Sequence, residues 1–265
     1  YDPIPSTWKK MTEILLYWAG KGIDGFRCDM AEMVPCEFWA YAIRAVKAHY
    51  PEVIFIAEVY NPELYRMYIH SGFDKVGMYD CVRGVICGER AAVSITSEWQ
   101  KVDDIRNHML YFLENHDEQR IASDFFAGNP RKAIPGMLVT ALLYQNPVMV
   151  YAGQEFGERG MDKEGFSGCD GRSTIFDYWT VESVYKGFWN KKQLTNEAKS
   201  LLLTYQRILN ICNNEAAARE GQSYDLMYVN VQSDKFNSHR QFAFLRKAED
   251  EVLLVVANFS KDKKY

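Results

Sequence analysis

The sequence lacks the features that mark several large classes of protein. No uninterrupted apolar run approaches the roughly 20 residues that a membrane-spanning helix needs, and the first residues do not resemble a signal peptide. A formal net charge of -4, with both signs mixed along the chain, provides no basic patch. Neither a membrane nor a nucleic acid is therefore expected as a partner. The hydrophobic fraction of 48% is that of an ordinary globular protein.

Paired-cysteine motifs are also absent. The chain has 6 cysteines but no Cys-x-x-Cys pair, and they are scattered through predicted strands and helices. This distribution favours reduced thiols over a disulfide framework. No internal repeat and no low-complexity segment is found.

What is present is a set of short apolar runs that end in carboxylates. The runs are Gly25–Asp29, Ile54–Glu58 and Tyr111–Asp117. Runs of this kind between helical segments are typical of buried parallel strands, which deliver functional residues at their carboxyl ends. The pattern predicts an enzyme that works with carboxylates.

The first two runs predict two carboxyl groups in different protonation states. Side chains alternate along a strand, so Arg27 and Asp29 share one face, and the guanidinium should lower the pKa of Asp29 and keep it ionised. Glu58 ends an apolar stretch, where desolvation should raise its pKa and suit it to donate a proton. One anion and one acid is the division of labour in glycoside hydrolysis.

Several stretches of the chain resemble the alpha-amylase family, glycoside hydrolase family 13. Three of them are similar to signature regions of that family, and two further stretches are similar to its eighth barrel strand and to a loop common in bacterial members. In chain order the five stretches are Gly22–Ala31, Ile56–Val59, Glu114–Asp117, Val148–Gly157 and Asp170–Trp179.

The resemblance implies a role for each matching residue. Asp29 would be the nucleophile, Arg27 its oriented partner, and Glu58 the general acid and base. His116 and Asp117 would bind the sugar at the cleavage site and stabilise the transition state. Aromatic rings stack well on the C–H faces of sugars, and for that reason Tyr60 and Phe166 are predicted as wall residues of the site.

The predicted fold class is α/β. Strands near residues 25, 55, 76, 112 and 150 would be the fourth to eighth of a (β/α)8 TIM barrel, giving a partial barrel over residues 1–213. Residues 214–265 would begin an incomplete antiparallel β domain. Its strands are predicted at Tyr224–Val231, Arg240–Arg246 and Val252–Phe259.

The family's first signature region has no match in this sequence. We therefore expect the chain to be a fragment of a longer enzyme and to be inactive when isolated. Because five parallel strands do not close a barrel, the chain should associate with itself or with a missing N-terminal segment. The chemistry requires no cofactor, and calcium is expected, if anywhere, in the full-length parent.

The resemblance implies a retaining glycoside hydrolase or transglycosylase that acts on alpha-glucosidic bonds of starch-like glucans or maltooligosaccharides. Hydrolysis and transfer share one path and differ in the acceptor that reaches the glycosyl-enzyme, so the residues leave both open. The alternative is a noncatalytic glucan-binding or transporter-associated protein of the same fold. Retention of Asp29, Glu58 and Asp117 argues against that alternative.

Overall fold

The fold was examined in a computed structural model that describes residues 1–162, 169–173, 180–230 and 233–260. The chain forms two compact units. The first comprises Tyr1–Met78 and Asn107–Leu110, and the second comprises Tyr79–Arg106 and Tyr111–Tyr265. In the described part of the chain, every helix is too short or too polar to cross a bilayer.

Helices and parallel strands alternate in the first unit. In chain order the elements are α1 (Ser6–Ala19), β1 (Gly25–Cys28), α2 (Cys36–His49), β2 (Ile54–Ala57), α3 (Tyr65–His70) and β3 (Lys75–Met78). β1 pairs with β2 in parallel, and β2 pairs with β3 in parallel. Aromatic rings fill the space between strands and helices: Phe55 on β2 lies 5.3 Å from Phe26 on β1, and Phe73 lies 5.1 Å from Trp39 on α2. Burial of one such ring contributes about 1.5–3 kcal/mol.

The second unit continues the alternation and then changes to antiparallel structure. Its elements are α4 (Asp80–Cys87), α5 (Ser94–Gln100), β4 (Met109–Phe112, which begins in the first unit), α6 (Ala133–Leu142), β5 (Val148–Met149), α7 (Glu182–Trp189), α8 (Asn196–Asn214), α9 (Ala216–Arg219), β6 (Gln222–Asp225), α10 (Met227–Asn230), β7 (Gln241–Ala248) and β8 (Glu251–Asn258). β6, β7 and β8 form an antiparallel sheet in that order.

The parallel sheet has the strand order β1-β2-β3-β4-β5. Consecutive parallel strands with helical connections are the repeating unit of the (β/α)8 barrel, so the predicted fold class is confirmed as a partial barrel followed by an antiparallel sheet. The boundary placed between residues 213 and 214 stays a prediction. The Thr195 side chain accepts a hydrogen bond from the Ala198 amide and caps α8.

One strand prediction was wrong over part of its length. Tyr224–Val231 was expected to be extended throughout, but β6 ends at Asp225 and a helical turn, α10, follows. The Asp225 carboxylate accepts a hydrogen bond from the Met227 amide at 2.6 Å, and Leu226 donates its amide to Ala243. An Asp side chain that captures the amide two residues on turns the chain, which ends the strand.

Candidate active site

Asp29 and Glu58 occupy equivalent places at the ends of adjacent strands. β1 and β2 are in register with Arg27 opposite Ile56 and Cys28 opposite Ala57, and the Glu58 amide donates to the Cys28 carbonyl at 3.0 Å. The next residues in this register are Asp29 and Glu58. Because side chains alternate along each strand, Arg27, Asp29 and Glu58 project from one face of the pair.

One guanidinium contacts both carboxylates. Arg27 donates from Nη1 to Asp29 Oδ1, and its Nη2 lies 2.5 Å from Glu58 Oε1. The planar fork of an arginine holds two acceptors in a fixed relation, which a lysine ammonium does not. The two carboxyl groups are therefore separated by one guanidinium, which hydrogen bonds to Asp29 and forms an ion pair with Glu58.

The two carboxylates differ in their access to solvent. The Asp29 side chain is 73% exposed, whereas that of Glu58 is 13% exposed. The sequence suggested apolar surroundings for Glu58, but three donors reach its carboxylate. Besides Arg27, the Met30 amide donates to Oε2 at 2.7 Å and the Tyr60 hydroxyl donates to Oε1 at 3.2 Å. The predicted wall residue Tyr60 thus contacts the Glu58 carboxylate directly.

Met30 places its amide by adopting an unusual backbone conformation. Its φ of 46° lies in the left-handed region, which costs a residue with a side chain about 1–2 kcal/mol. The turn aims the amide N–H at Glu58, and the amide of the following residue, Ala31, donates to the Glu58 carbonyl at 3.0 Å. Backbone strain of this kind is often retained at active sites, and here it lies next to the two predicted carboxylates.

Glu32 is a residue of the site that the sequence did not single out. Its Oε2 accepts hydrogen bonds from the amides of Tyr60 at 3.2 Å and Asn61 at 3.1 Å. The carboxylate therefore fixes the loop after β2, and with it the hydroxyl that reaches Glu58. Glu32 lies three residues after Asp29, close to β1 in the sequence. Only the tertiary fold shows that its hydrogen-bond partners, Tyr60 and Asn61, follow the neighbouring strand β2.

His116 and Asp117 lie together after β4 in the second unit. His116 Nε2 is 3.2 Å from Asp117 Oδ2, and the side chains are 21% and 48% exposed. The Asn115 Oδ1 accepts the amides of Asp117 at 3.0 Å and Glu118 at 2.8 Å, which forms an Asx turn. Arg172 donates its Nε to the Asp117 carbonyl at 2.8 Å. The backbone of Asp117 is thus held by Asn115 and Arg172, and its carboxylate is held by His116.

A buried ion pair supports this turn. Glu114, the second residue after β4, accepts from Arg120 Nη1 at 2.8 Å and from the Ile121 amide at 2.7 Å, and both charged side chains are 2% exposed. Arg120 also donates to the Ala152 carbonyl and lies over the Tyr151 ring at 4.2 Å. The sequence did not identify Arg120, although a buried Glu at a strand end requires a partner of this kind.

The structure brings the predicted site residues into two groups. Arg27, Asp29, Glu58 and Tyr60 form one group in the first unit. His116 and Asp117 form the other in the second unit. Phe166 lies outside the described residues.

Calcium was expected only in a longer parent. Across the described ranges, no group of three or more His, Cys, Asp or Glu side chains is arranged to hold a metal ion. The acidic side chains near Arg27 contact guanidinium, amide and hydroxyl donors.

Comparison with known proteins gives a consistent result. The family described as alpha amylase, catalytic domain, matches residues 4–221. Alpha-amylase MalA of Haloarcula japonica is 32% identical over 99% of this chain, which spans 35% of that protein. An alpha-1,4-glucan:maltose-1-phosphate maltosyltransferase of Rhodospirillum rubrum is 36% identical over 27% of this chain, and the matched stretch covers 11% of that protein.

Solved structures show the same fold. The crystal structure of the alpha-amylase from H. orenii superposes with a TM-score of 0.71 at 23% sequence identity. The match covers 98% of this chain and 56% of that one. The chain thus spans about a third of MalA and about half of the H. orenii structure.

Proposed function

The chain belongs to the alpha-amylase family, and we propose that it carries the catalytic carboxylates of a retaining enzyme that acts on alpha-glucosidic bonds of glucans. The proposed substrates are starch-like glucans or maltooligosaccharides. Its relatives include an amylase and a maltosyltransferase, so the proposal covers both hydrolysis and glycosyl transfer.

The observation that supports this proposal best is the contact of Arg27 with both Asp29 and Glu58. A retaining mechanism needs two carboxyl groups about 5–5.5 Å apart, one to attack the sugar and one to exchange protons. A shared guanidinium keeps two such groups close on one face while it balances their charge. A pair of unrelated surface carboxylates has no need of this arrangement.

Asp29 is the proposed nucleophile because it is the more exposed carboxylate and its orientation is set by Arg27. Its Oδ attacks the anomeric carbon, and the bond from that carbon to the leaving oxygen breaks. Glu58, when protonated, gives its proton to that oxygen, and as a carboxylate it then accepts a proton from water or from a sugar hydroxyl. The incoming oxygen displaces Asp29 and restores the configuration at the anomeric carbon.

His116 and Asp117 are proposed to hold the sugar at the cleavage site. A carboxylate and an imidazole can hydrogen bond to adjacent hydroxyl groups of one ring. The Asx turn at Asn115 and the contact from Arg172 limit the movement of Asp117, as a positioning role requires.

The test is made on the full-length gene product with maltooligosaccharides. Asp29→Asn and Glu58→Gln should each lower kcat by about 10³-fold or more, whereas the exposed controls Asp24→Asn and Glu52→Gln should not change it. A fluorinated glycosyl fluoride should leave a glycosyl group on the peptide that contains Asp29. Undiminished turnover in Asp29→Asn, or a glycosyl group on another peptide, would contradict the assignment.

We also propose that residues 1–265 by themselves have little activity. The family's first signature region has no match in this sequence, and in the family that region contributes to sugar binding at the cleavage site. Assays of the 265-residue chain and of the full-length gene product at equal concentration test this point. Equal turnover would overturn it without affecting the assignment of Asp29 and Glu58.

A further inference from the structure

Arg83 is a buried arginine on α4, a helix whose other buried side chains are apolar. The residue is 6% exposed, and the buried side chains beside it on the helix are those of Cys81, Val82, Val85 and Ile86. Burial lowers the pKa of the Arg83 guanidinium, because the charged form loses hydration. A buried charge is costly to keep, so the contacts that it makes need an explanation.

The guanidinium of Arg83 binds one segment of the chain at both of its ends. Nη1 donates to the Leu113 carbonyl at 2.7 Å, and Nη2 donates to the Gln119 carbonyl at 3.0 Å. Residues 113–119, which we call the 113–119 segment, follow β4, form neither helix nor strand, and carry the His116–Asp117 pair. Because such a segment has no hydrogen-bond ladder of its own, its conformation depends on the side chains that bind its backbone. One planar guanidinium therefore fixes the two ends of the segment relative to each other.

A carboxylate within the segment balances the charge of Arg83. Glu118 Oε2 lies 3.6 Å from Arg83 Nη2, and Glu118 Oε1 accepts a hydrogen bond from the Tyr79 hydroxyl at 2.9 Å. The Tyr79 ring stacks on Phe112, the last residue of β4, with 4.7 Å between the ring centroids. Glu118 directly follows Asp117 in the sequence, so the contacts at the Glu118 carboxylate also limit the movement of the Asp117 backbone.

Packing alone does not require an arginine at this place. The guanidinium lies over the Phe126 ring at 4.2 Å, and an apolar side chain would cover that ring without the cost of a buried charge. It would, however, remove the donors that tie the carbonyls of Leu113 and Gln119 to α4. What an arginine adds here is a fixed position of the 113–119 segment against the helix.

We propose that Arg83 is a positioning residue for the His116–Asp117 pair. It sets where the 113–119 segment lies against α4, and with it the direction in which the Asp117 carboxylate and the His116 imidazole meet a sugar. The inference rests on the proposed function, in which this pair holds the sugar at the cleavage site. Arg83 acts through the segment and does not itself touch the substrate.

The test is a double-variant cycle on the full-length gene product, with a nitrophenyl α-maltoside as substrate so that slow variants stay measurable. Arg83→Lys keeps the charge but cannot bind two carbonyls with one planar group, and kcat/KM should fall about tenfold, as for a small misplacement of a binding group. Arg90→Lys makes the same change at an arginine whose side chain is 45% exposed and should leave kcat/KM unchanged. In an Asp117→Asn background, Arg83→Lys should lower kcat/KM by less than about twofold, because the residue through which it acts is already lost.

Tyr79→Phe makes the same test with a smaller change. The ring can stay on Phe112, and only the hydroxyl that donates to Glu118 is lost, so the fold should be retained. The loss of one hydrogen bond should lower kcat/KM about threefold in the otherwise unchanged protein, and this effect should disappear in the Asp117→Asn background.

Two outcomes overturn the proposal. One is a kcat/KM for Arg83→Lys equal to that of Arg90→Lys. The other is an effect of Arg83→Lys or Tyr79→Phe that is the same with Asp117 and with Asn at that position, since general damage to the structure would act equally in both backgrounds. Full turnover in Asp29→Asn would instead contradict the proposed function, so the two failures are distinguishable.

Discussion

Arg27 and Glu58 form an ion pair at 2.5 Å, and the same guanidinium donates to Asp29. Arg27 lies on β1 and Glu58 follows β2, so the pair joins two adjacent strands at their carboxyl ends. An arginine at this position therefore does more than balance charge: it sets the distance and orientation between the two carboxyl groups on which the proposed mechanism depends.

The bidentate role of Arg27 can be tested with Arg27→Lys. The charge is retained, but an ammonium group cannot hold two carboxylates in a fixed planar arrangement. We expect kcat/KM on maltooligosaccharides to fall about 10²-fold, the effect of a small misplacement of reacting groups. Arg44→Lys on the exposed side of α2 is the matched control and should leave the rate unchanged. A rate for Arg27→Lys equal to that of the control would show that charge alone is sufficient.

The loop held by Glu32 gives a second prediction. Glu32→Leu removes the acceptor for the amides of Tyr60 and Asn61, so the Tyr60 hydroxyl should lose its fixed contact with Glu58. We expect kcat to fall about tenfold, a smaller effect than loss of a reacting group. Glu32→Gln keeps an acceptor oxygen and should restore most of the rate. The exposed Glu52→Leu serves as control. Equal rates for Glu32→Leu and Glu52→Leu would remove Glu32 from the site.

Removal of one partner from the buried pair of Glu114 and Arg120 should lower the stability of the protein strongly. Arg120→Met leaves a carboxylate that is 2% exposed without its guanidinium, and we expect the free energy of unfolding to fall by about 3–5 kcal/mol. Arg159→Met, in an ion pair with Asp124 that is 45% and 64% exposed, should cost less than about 1 kcal/mol.

A double variant separates the pair from the packing around it. Glu114→Gln combined with Arg120→Met should cost less than the sum of the single changes, because no buried charge then remains unpaired. Urea unfolding followed by circular dichroism measures the free energy of unfolding of the unchanged protein, of the two single variants Glu114→Gln and Arg120→Met, and of the double variant. Strict additivity of the two single changes would mean that the residues do not interact.

Cys28 provides a prediction about pH. Burial raises the pKa of its thiol to about 12, with the neighbouring Arg27 acting in the opposite direction. At pH 8 iodoacetamide should therefore modify the exposed Cys169 in the native protein and reach Cys28 only after unfolding. Modification of Cys28 at the rate of Cys169 would contradict its burial.

The same shift has a consequence for stability. A folded-state pKa above the unfolded value means that the native state holds the thiol proton more tightly than the unfolded state does. The stability that this difference contributes is fully present below about pH 9 and is lost as the pH rises toward 12. The free energy of unfolding should therefore decline in this range, and the decline should be shallower in Cys28→Ala. Parallel pH curves for the two proteins would refute the assignment.

Local sequence signals were sufficient for most of the regular elements. Pro35 precedes α2 and Thr195 caps α8, and the apolar runs that end near Asp29 and Glu58 form β1 and β2, because such signals act within a few residues. The extension predicted beyond Asp225 was wrong, since a side-chain hydrogen bond to the Met227 amide outweighed the apolar pattern.

The sequence by itself determined on which face of each strand the predicted site residues stand. Alternation along β1 is a property of the extended backbone, so the shared face of Arg27 and Asp29 follows from their spacing of two. Only the tertiary structure decided what those residues touch. The register of β1 and β2, the left-handed turn at Met30 and the reach of Glu32 to Tyr60 join groups 28 or more residues apart. Contacts over such separations depend on the packing of whole elements, which no local pattern encodes.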